Sequence, residues 1–115
     1  MSATAKTKVL WIKEENLRHI LSGRKTVEVQ VGYPNIKRLQ PGDILLLNEQ
    51  YRYRIIAIRR YPNFEEMVAA EDVAAIAPDL SDRAALLAAC RALYPSEKEQ
   101  LGVIALELAP EETTN

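Results

Sequence analysis

The spacing of apolar and polar residues changes several times along the chain, and each change predicts an element. Between Lys8 and Lys13 stand four bulky residues in a row, Val9, Leu10, Trp11 and Ile12. The run is too short for a helix and predicts a buried strand, with Trp11 read as barrel core or strand surface. Leu17, Ile20 and Leu21 then share one helical face, Glu14 and Glu15 sit where the helix dipole favours acids, and Gly23 can close the end in a left-handed conformation. Thr26 to Val31 alternates strictly, placing Val27, Val29 and Val31 on one side of a strand and Thr26, Glu28 and Gln30 on the other.

Tyr33-Pro34-Asn35 and Gln40-Pro41-Gly42-Asp43 read as turns, the second leading into Ile44 to Leu47, a run apolar on both faces. A tight connection at Asn48-Glu49-Gln50 predicts an antiparallel partner over Tyr51 to Tyr61, ended by Pro62. Asn63 and Glu66 have capping-box spacing ahead of a helix with Phe64, Met67 and Val68 on its apolar face. Pro78 breaks the alanine-rich stretch that follows, and Ser81 is placed to cap a second helix running through Leu93, with Leu86, Cys90 and Leu93 at core spacing. Tyr94-Pro95 stops that helix, and Gly102 opens a last strand over Val103 to Leu108. The order predicts an α+β fold: a small mixed β-barrel flanked by helices.

With 115 residues, 48% hydrophobic and 27% charged, the chain suits one domain. No stretch reaches the roughly 18 apolar residues of a membrane span, and the start lacks the apolar core of a signal peptide. A lone cysteine, Cys90, forms no intrachain disulfide, so the expected setting is cytoplasmic; with His19 as the only histidine, a Cys/His zinc site is not expected either. No metal or cofactor is predicted. The formal net charge of −1 conceals an asymmetry, because residues 1–60 carry 12 Lys/Arg against 5 acids and residues 61–115 carry 3 against 11. A basic first half fits a polyanionic or phosphorylated ligand.

A Gly-rich phosphate loop, metal-ligand spacing and a nucleophile elbow are all missing from the sequence. His19, inside the first helix, reads as a surface or packing residue. The densest chemistry lies at Ser22-Gly23-Arg24-Lys25-Thr26-Val27-Glu28-Val29-Gln30, where a helix ends, two cations follow and a strand departs. Lysine beside glutamate at such a boundary can anchor an anion or, if partly desolvated, act as a base. Read plainly, the same residues are a helix C-terminus with favourable cations and an ordinary amphipathic strand.

Ile20-Leu21-Ser22-Gly23-Arg24-Lys25-Thr26-Val27-Glu28-Val29 closely resembles the opening motif of the ASCH domain, I-L-x-G-x-K-T-x-E-x-R. Leu39-Gln40-Pro41-Gly42-Asp43 resembles that family's Gly-Asp step, and Tyr61 to Met67 and Tyr94-Pro95 followed by Gly102 to Ala105 resemble its later blocks. The resemblance spans residues 8–108, leaving 1–7 and 109–115 as flexible termini. It implies a barrel similar to the PUA domain, with a cleft between barrel and helices, and binding of RNA or nucleotides; some members are associated with transcription coactivation. One bacterial branch hydrolyses the amide of N4-acetylcytidine. Its motif lysine matches Lys25, its threonine nucleophile falls on Glu28, and its glutamate falls near Asp79. The family arginine two positions after the glutamate is Gln30 here. Without a hydroxyl at the nucleophile position, the threonine mechanism is not expected to carry over.

The expected function is therefore binding of RNA or a nucleoside or nucleotide ligand in a cleft lined by Lys25, Glu28 and Gln30. Lys13, Arg24, Thr26, Arg52 and Arg54 are the further binding candidates. The alternative is a hydrolase acting on modified nucleosides or RNA, with Lys25 and Glu28 as acid/base pair and Asp79 as a further catalytic candidate. A protein-interaction module is the third reading.

Overall fold

The computed structural model describes residues 5–80 and 82–111. Its strands are β1 (Thr7–Leu10), β2 (Val27–Val31), β3 (Ile44–Leu47), β4 (Tyr51–Tyr61) and β5 (Val103–Pro110). Its helices are α1 (Glu14–Leu21), α2 (Pro34–Lys37), α3 (Phe64–Ala70), α4 (Val73–Ile76), α5 (Arg83–Leu93) and α6 (Ser96–Glu99). The strands form one sheet in the order β1-β3-β4-β5-β2, with β1 and β3 parallel and the other pairs antiparallel. A register shift between Ile55 and Ala57 interrupts β4. Such irregularities bend a strand and increase its twist, and the sheet curls into half a barrel.

Strand β5 is buried on both faces. Its Ile104, Leu106 and Leu108 pack inside the curl with Leu45, Leu47, Tyr53 and Ile55, closed over by Leu17 and Ile20 of α1. Its Val103 and Ala105 join Val27 and Val31 of β2 beneath Phe64, Met67 and Val68 of α3 and Leu86 and Cys90 of α5. The alternation in β2 thus has the consequence expected of it. Glu28 and Gln30, directly opposite Leu106 and Ile104, face the inside of the curl, where β2 is the sheet's edge.

Local signals behave as their chemistry requires. Gly23 and Gly42 have φ of +83° and +96°, values that cost an L-side chain strain. Asn48 and Glu49, at φ 50° and 62°, make the mirror-image turn that suits a twisted hairpin between β3 and β4. The Asn63 side chain accepts the Glu66 backbone N–H at 2.8 Å. The N-cap of α5 is Asp82, which accepts from Ala85 N–H; Ser81 lies outside the described residues. Instead of a plain turn, Pro34 opens the short helix α2, its fixed φ suiting the first helical position.

The apolar run at 9–12 is corrected by the structure. Strand β1 ends at Leu10, pairs only with β3, and leaves Trp11 67% exposed and Val9 41% exposed, whereas Ile12 is buried. The cause lies in Asn48, whose side-chain oxygen accepts the Ile12 N–H at 2.7 Å and whose amide donates to the Ile12 carbonyl at 2.9 Å. That double clamp fixes which residue of the run turns inward, and its neighbours turn out. Leu21 and Leu93 are likewise exposed at the margins of their helical faces. No helix among the described residues is long and apolar enough to cross a membrane.

Candidate functional site

The chain leaves α1 through Gly23 and folds back, so that the His19 carbonyl accepts the backbone N–H groups of Arg24 and Lys25, both at 3.0 Å. Thr26 then fixes the start of β2, donating its N–H to Ala75 in α4 at 2.9 Å and accepting from Leu108 N–H at 2.8 Å. Held from both sides, Lys25 is only 5% exposed. Its ammonium donates to the carbonyls of Val27 and Ile76, each at 2.7 Å, and lies 3.3 Å from Glu28 Oε1. A lysine ammonium has three protons to donate; two go to these carbonyls, and the ammonium also forms an ion pair with Glu28. Gln30 Nε2 donates to Glu28 Oε2 at 2.6 Å. The carboxylate keeps lone pairs beyond these two contacts, so Glu28 has acceptor capacity to spare.

Lys25 and Glu28 lie in the wall of a cleft of about 520 Å³ between α1 on one side and α4, the 77–80 segment and α5 on the other. Its walls mix apolar side chains, Ile76, Pro78, Leu86 and Leu93 among them, with polar ones. At one edge the His19 ring, through Nε2, contacts Asp79 Oδ2 at 2.9 Å. Beyond that pair, Arg18, Ser22 and Arg24 line a shallower annex of about 450 Å³ that shares Glu15, His19 and Asp79 with the main cleft. Two further polar groups reach the cleft without an ionised form at neutral pH. Burial pushes the Cys90 thiol up to about 11, against the pull of Lys25. Burial, followed by the nearby Glu28 charge, pushes the Tyr94 phenol up to about 12.

The structure therefore gathers some of the sequence candidates and leaves others apart. Lys13, Lys25, Glu28 and Asp79 line the main cleft, and Arg24 lines the annex. Gln30 lies outside the lining and reaches it through Glu28. Thr26 is exposed, outside both cavities, and works through its backbone. Arg52 and Arg54 are also outside both, within 3.8 and 3.7 Å of Glu111. Sequence reasoning passes over Arg18 and reads His19 as a surface or packing residue. The available signal for both was position, since the last turn of α1 precedes the glycine that folds Lys25 back against it.

Of the other cations on β4, Arg59 is committed to carboxylates. Arg59 donates Nε to Glu71 Oε2 at 2.6 Å, Nη2 to Glu71 Oε1 at 2.9 Å and Nη1 to Glu107 Oε1 at 2.8 Å, and the Tyr61 hydroxyl also donates to Glu71. Its neighbour Arg60 bonds the Lys37 carbonyl. The Arg59 hydrogen bonds hold the Glu71 carboxyl below the usual 4.5, outweighing its burial. A carboxyl whose folded value is depressed stabilises the fold above its unfolded value and loses that contribution as pH falls through the folded one. Urea midpoints measured downward from pH 6 should therefore fall most steeply below about 4.5. Glu71→Gln should start lower at pH 6 and flatten that slope; an unchanged slope would remove Glu71 from the account.

A half-barrel sheet with a cleft at its β2 edge, floored by a buried Lys-Glu pair and flanked by helices, defines an α+β domain of the PUA-like type. The ASCH domain profile matches residues 10–112, and the chain belongs to that family. Two solved structures are similar over nearly their whole length. One is the crystal structure of the hypothetical protein PH0355, 26% identical, with a TM-score of 0.85 over 92% of this chain and 99% of that one. The other is the solution structure of protein PF0455 from Pyrococcus furiosus, 28% identical, with a TM-score of 0.77 over 93% of this chain and 99% of that one. No curated protein matches the sequence.

Proposed function

We propose that this chain binds RNA or a nucleotide-like ligand, with a base in the main cleft and phosphate held at its rim. The observation that carries the reading is the Glu28 carboxylate, 9% exposed yet lining the cleft, with acceptor capacity left after its bonds to Lys25 and Gln30. An amino or ring N–H of a base supplies the donor that this acceptor lacks, and the apolar part of the walls suits a base's faces. Lys13, Arg18 and Arg24 stand around the openings, where a backbone phosphate would stay in water while meeting their charges. Lys25 fixes and neutralises Glu28 in this reading and does not itself take the phosphate. Membership of the ASCH family supports RNA binding in general terms.

Calorimetric titration with nucleosides and with short single-stranded RNA tests it. A hydrogen bond to a charged group contributes about 1.5–3 kcal/mol, so Glu28→Gln should weaken binding by roughly tenfold or more, while the Arg52→Ala and Arg54→Ala variants stay within about twofold. The reverse pattern would move the binding site to the outer strands. A second reading, hydrolysis of an N4-acetylcytidine-like nucleoside, is favoured by the lining of one cleft by both Lys25 and Glu28, 3.3 Å apart. Product analysis after incubation with N4-acetylcytidine distinguishes turnover from binding alone.

A further inference from the structure

Trp11 is the only tryptophan in the chain, and it is 67% exposed. An indole is among the largest apolar surfaces a residue can offer to water, and its exposure here is not looseness of the chain. The next residue, Ile12, is buried, with its N–H and C=O both held by the Asn48 side chain, and Leu17 N–H bonds the Lys13 carbonyl at 2.9 Å as α1 begins. Anchored inward at Ile12, the segment presents both neighbours outward: Trp11 toward solvent and Lys13 at the cleft. We infer that Trp11 is a stacking platform for an unpaired base adjacent to the one seated in the cleft, with Lys13 meeting the phosphate between them.

This rests on the proposed seating of a base against Glu28, and it narrows the ligand to a single strand of at least two nucleotides. Two extended residues span about 7 Å, roughly twice the 3.4 Å rise between stacked bases. Neighbouring nucleotides pulled out of their stack can therefore serve both positions. Base–aromatic stacking tolerates any base, because every base has a π-face. The platform thus supplies affinity and strand direction, while Glu28 supplies discrimination by hydrogen bonding.

The test uses the full chain, a fluorescently labelled hexanucleotide read by anisotropy, and the intrinsic emission of Trp11. Ribo- and deoxyribo-hexamers are compared in parallel, and the tighter one identifies the strand. The unlabelled hexamer should quench Trp11 on saturation, and cytidine or adenosine alone should leave its emission nearly unchanged. Trp11→Ala should weaken the hexamer by about 5-fold or more, within the range that stacking on an aromatic covers, with Trp11→Phe recovering most of the loss. Because Trp11 is exposed, these variants should unfold at the parental urea midpoint. Hexamer affinity within twofold of the parent in Trp11→Ala, or saturation without quenching, overturns the platform even if Glu28→Gln still abolishes nucleoside binding. Quenching and the Trp11→Ala loss persisting while Glu28→Gln leaves hexamer affinity intact overturns the cleft as the base site. It also overturns the arrangement of two adjacent bases proposed here.

Discussion

Lys25→Met should cost about 3–5 kcal/mol of unfolding free energy, the range for breaking a buried ion pair by removing one partner, and should do so without any ligand present. The methionine fills most of the lysine's volume, so the loss is electrostatic rather than steric. It strips one hydrogen bond from each of the Val27 and Ile76 carbonyls and leaves the Glu28 carboxylate, itself mostly buried, without its cation. Ile76 is the last residue of α4, so the same change frees the end of the helix that forms one wall of the cleft. Urea denaturation of the parent, Lys25→Met, Glu28→Gln and the double variant closes the cycle. The double variant should lose clearly less than the two singles together, because it removes the stranded charge along with its partner. Strict additivity would mean that Lys25 and Glu28 do not act as a pair, and the reading of Lys25 as the fixture for Glu28 would fall with it.

Phe64→Ala should cost a similar amount, about 3–5 kcal/mol, through a different mechanism. Phe64 is fully buried in the cluster outside the curl and stacks on Tyr94, with ring centroids 5.8 Å apart and planes at 27°. Its backbone N–H also donates to Glu99 at 2.9 Å, tying the start of α3 to α6. Truncation leaves a cavity beneath α3 and removes the support of a ring that lines the cleft. Two readouts should therefore move together: the urea midpoint, and the NMR shifts of the Tyr94 ring. Phe64→Leu, which keeps most of the volume, should recover much of the stability but not the ring shifts. A loss below about 1 kcal/mol in Phe64→Ala would show that the helices collapse into the space, and that the cleft wall is not held by this stack.

How far the fold could be read in advance depended on whether a residue's partners were local. Val27, Val29 and Val31 announced their strand because a period of two needs only near neighbours, and Asn63 announced its helix through a bond to Glu66 three residues on. The run at 9–12 was misread as buried because four apolar residues in a row carry no record of which alternate pair turns inward; that was settled by Asn48, a polar residue far along the chain. The site divides in the same way. The motif around Lys25 and Glu28 was visible, but the engagement of the lysine by the Ile76 carbonyl was not, since a main-chain oxygen leaves no mark in residue type. The His19–Asp79 contact joins positions 60 apart, neither of which has a meaning alone.

The place of β5 in the sheet bears on how this domain is made. It lies between β4 and β2, which do not pair with each other, and is the last of the described strands in chain order. During synthesis β1, β3 and β4 can assemble as each emerges, whereas β2 has no neighbour to join until Val103 and the residues after it leave the ribosome. Lys25 and Glu28 are translated before β5 but are put in place only with it. A nascent chain therefore has no finished cleft until β5 has joined the sheet.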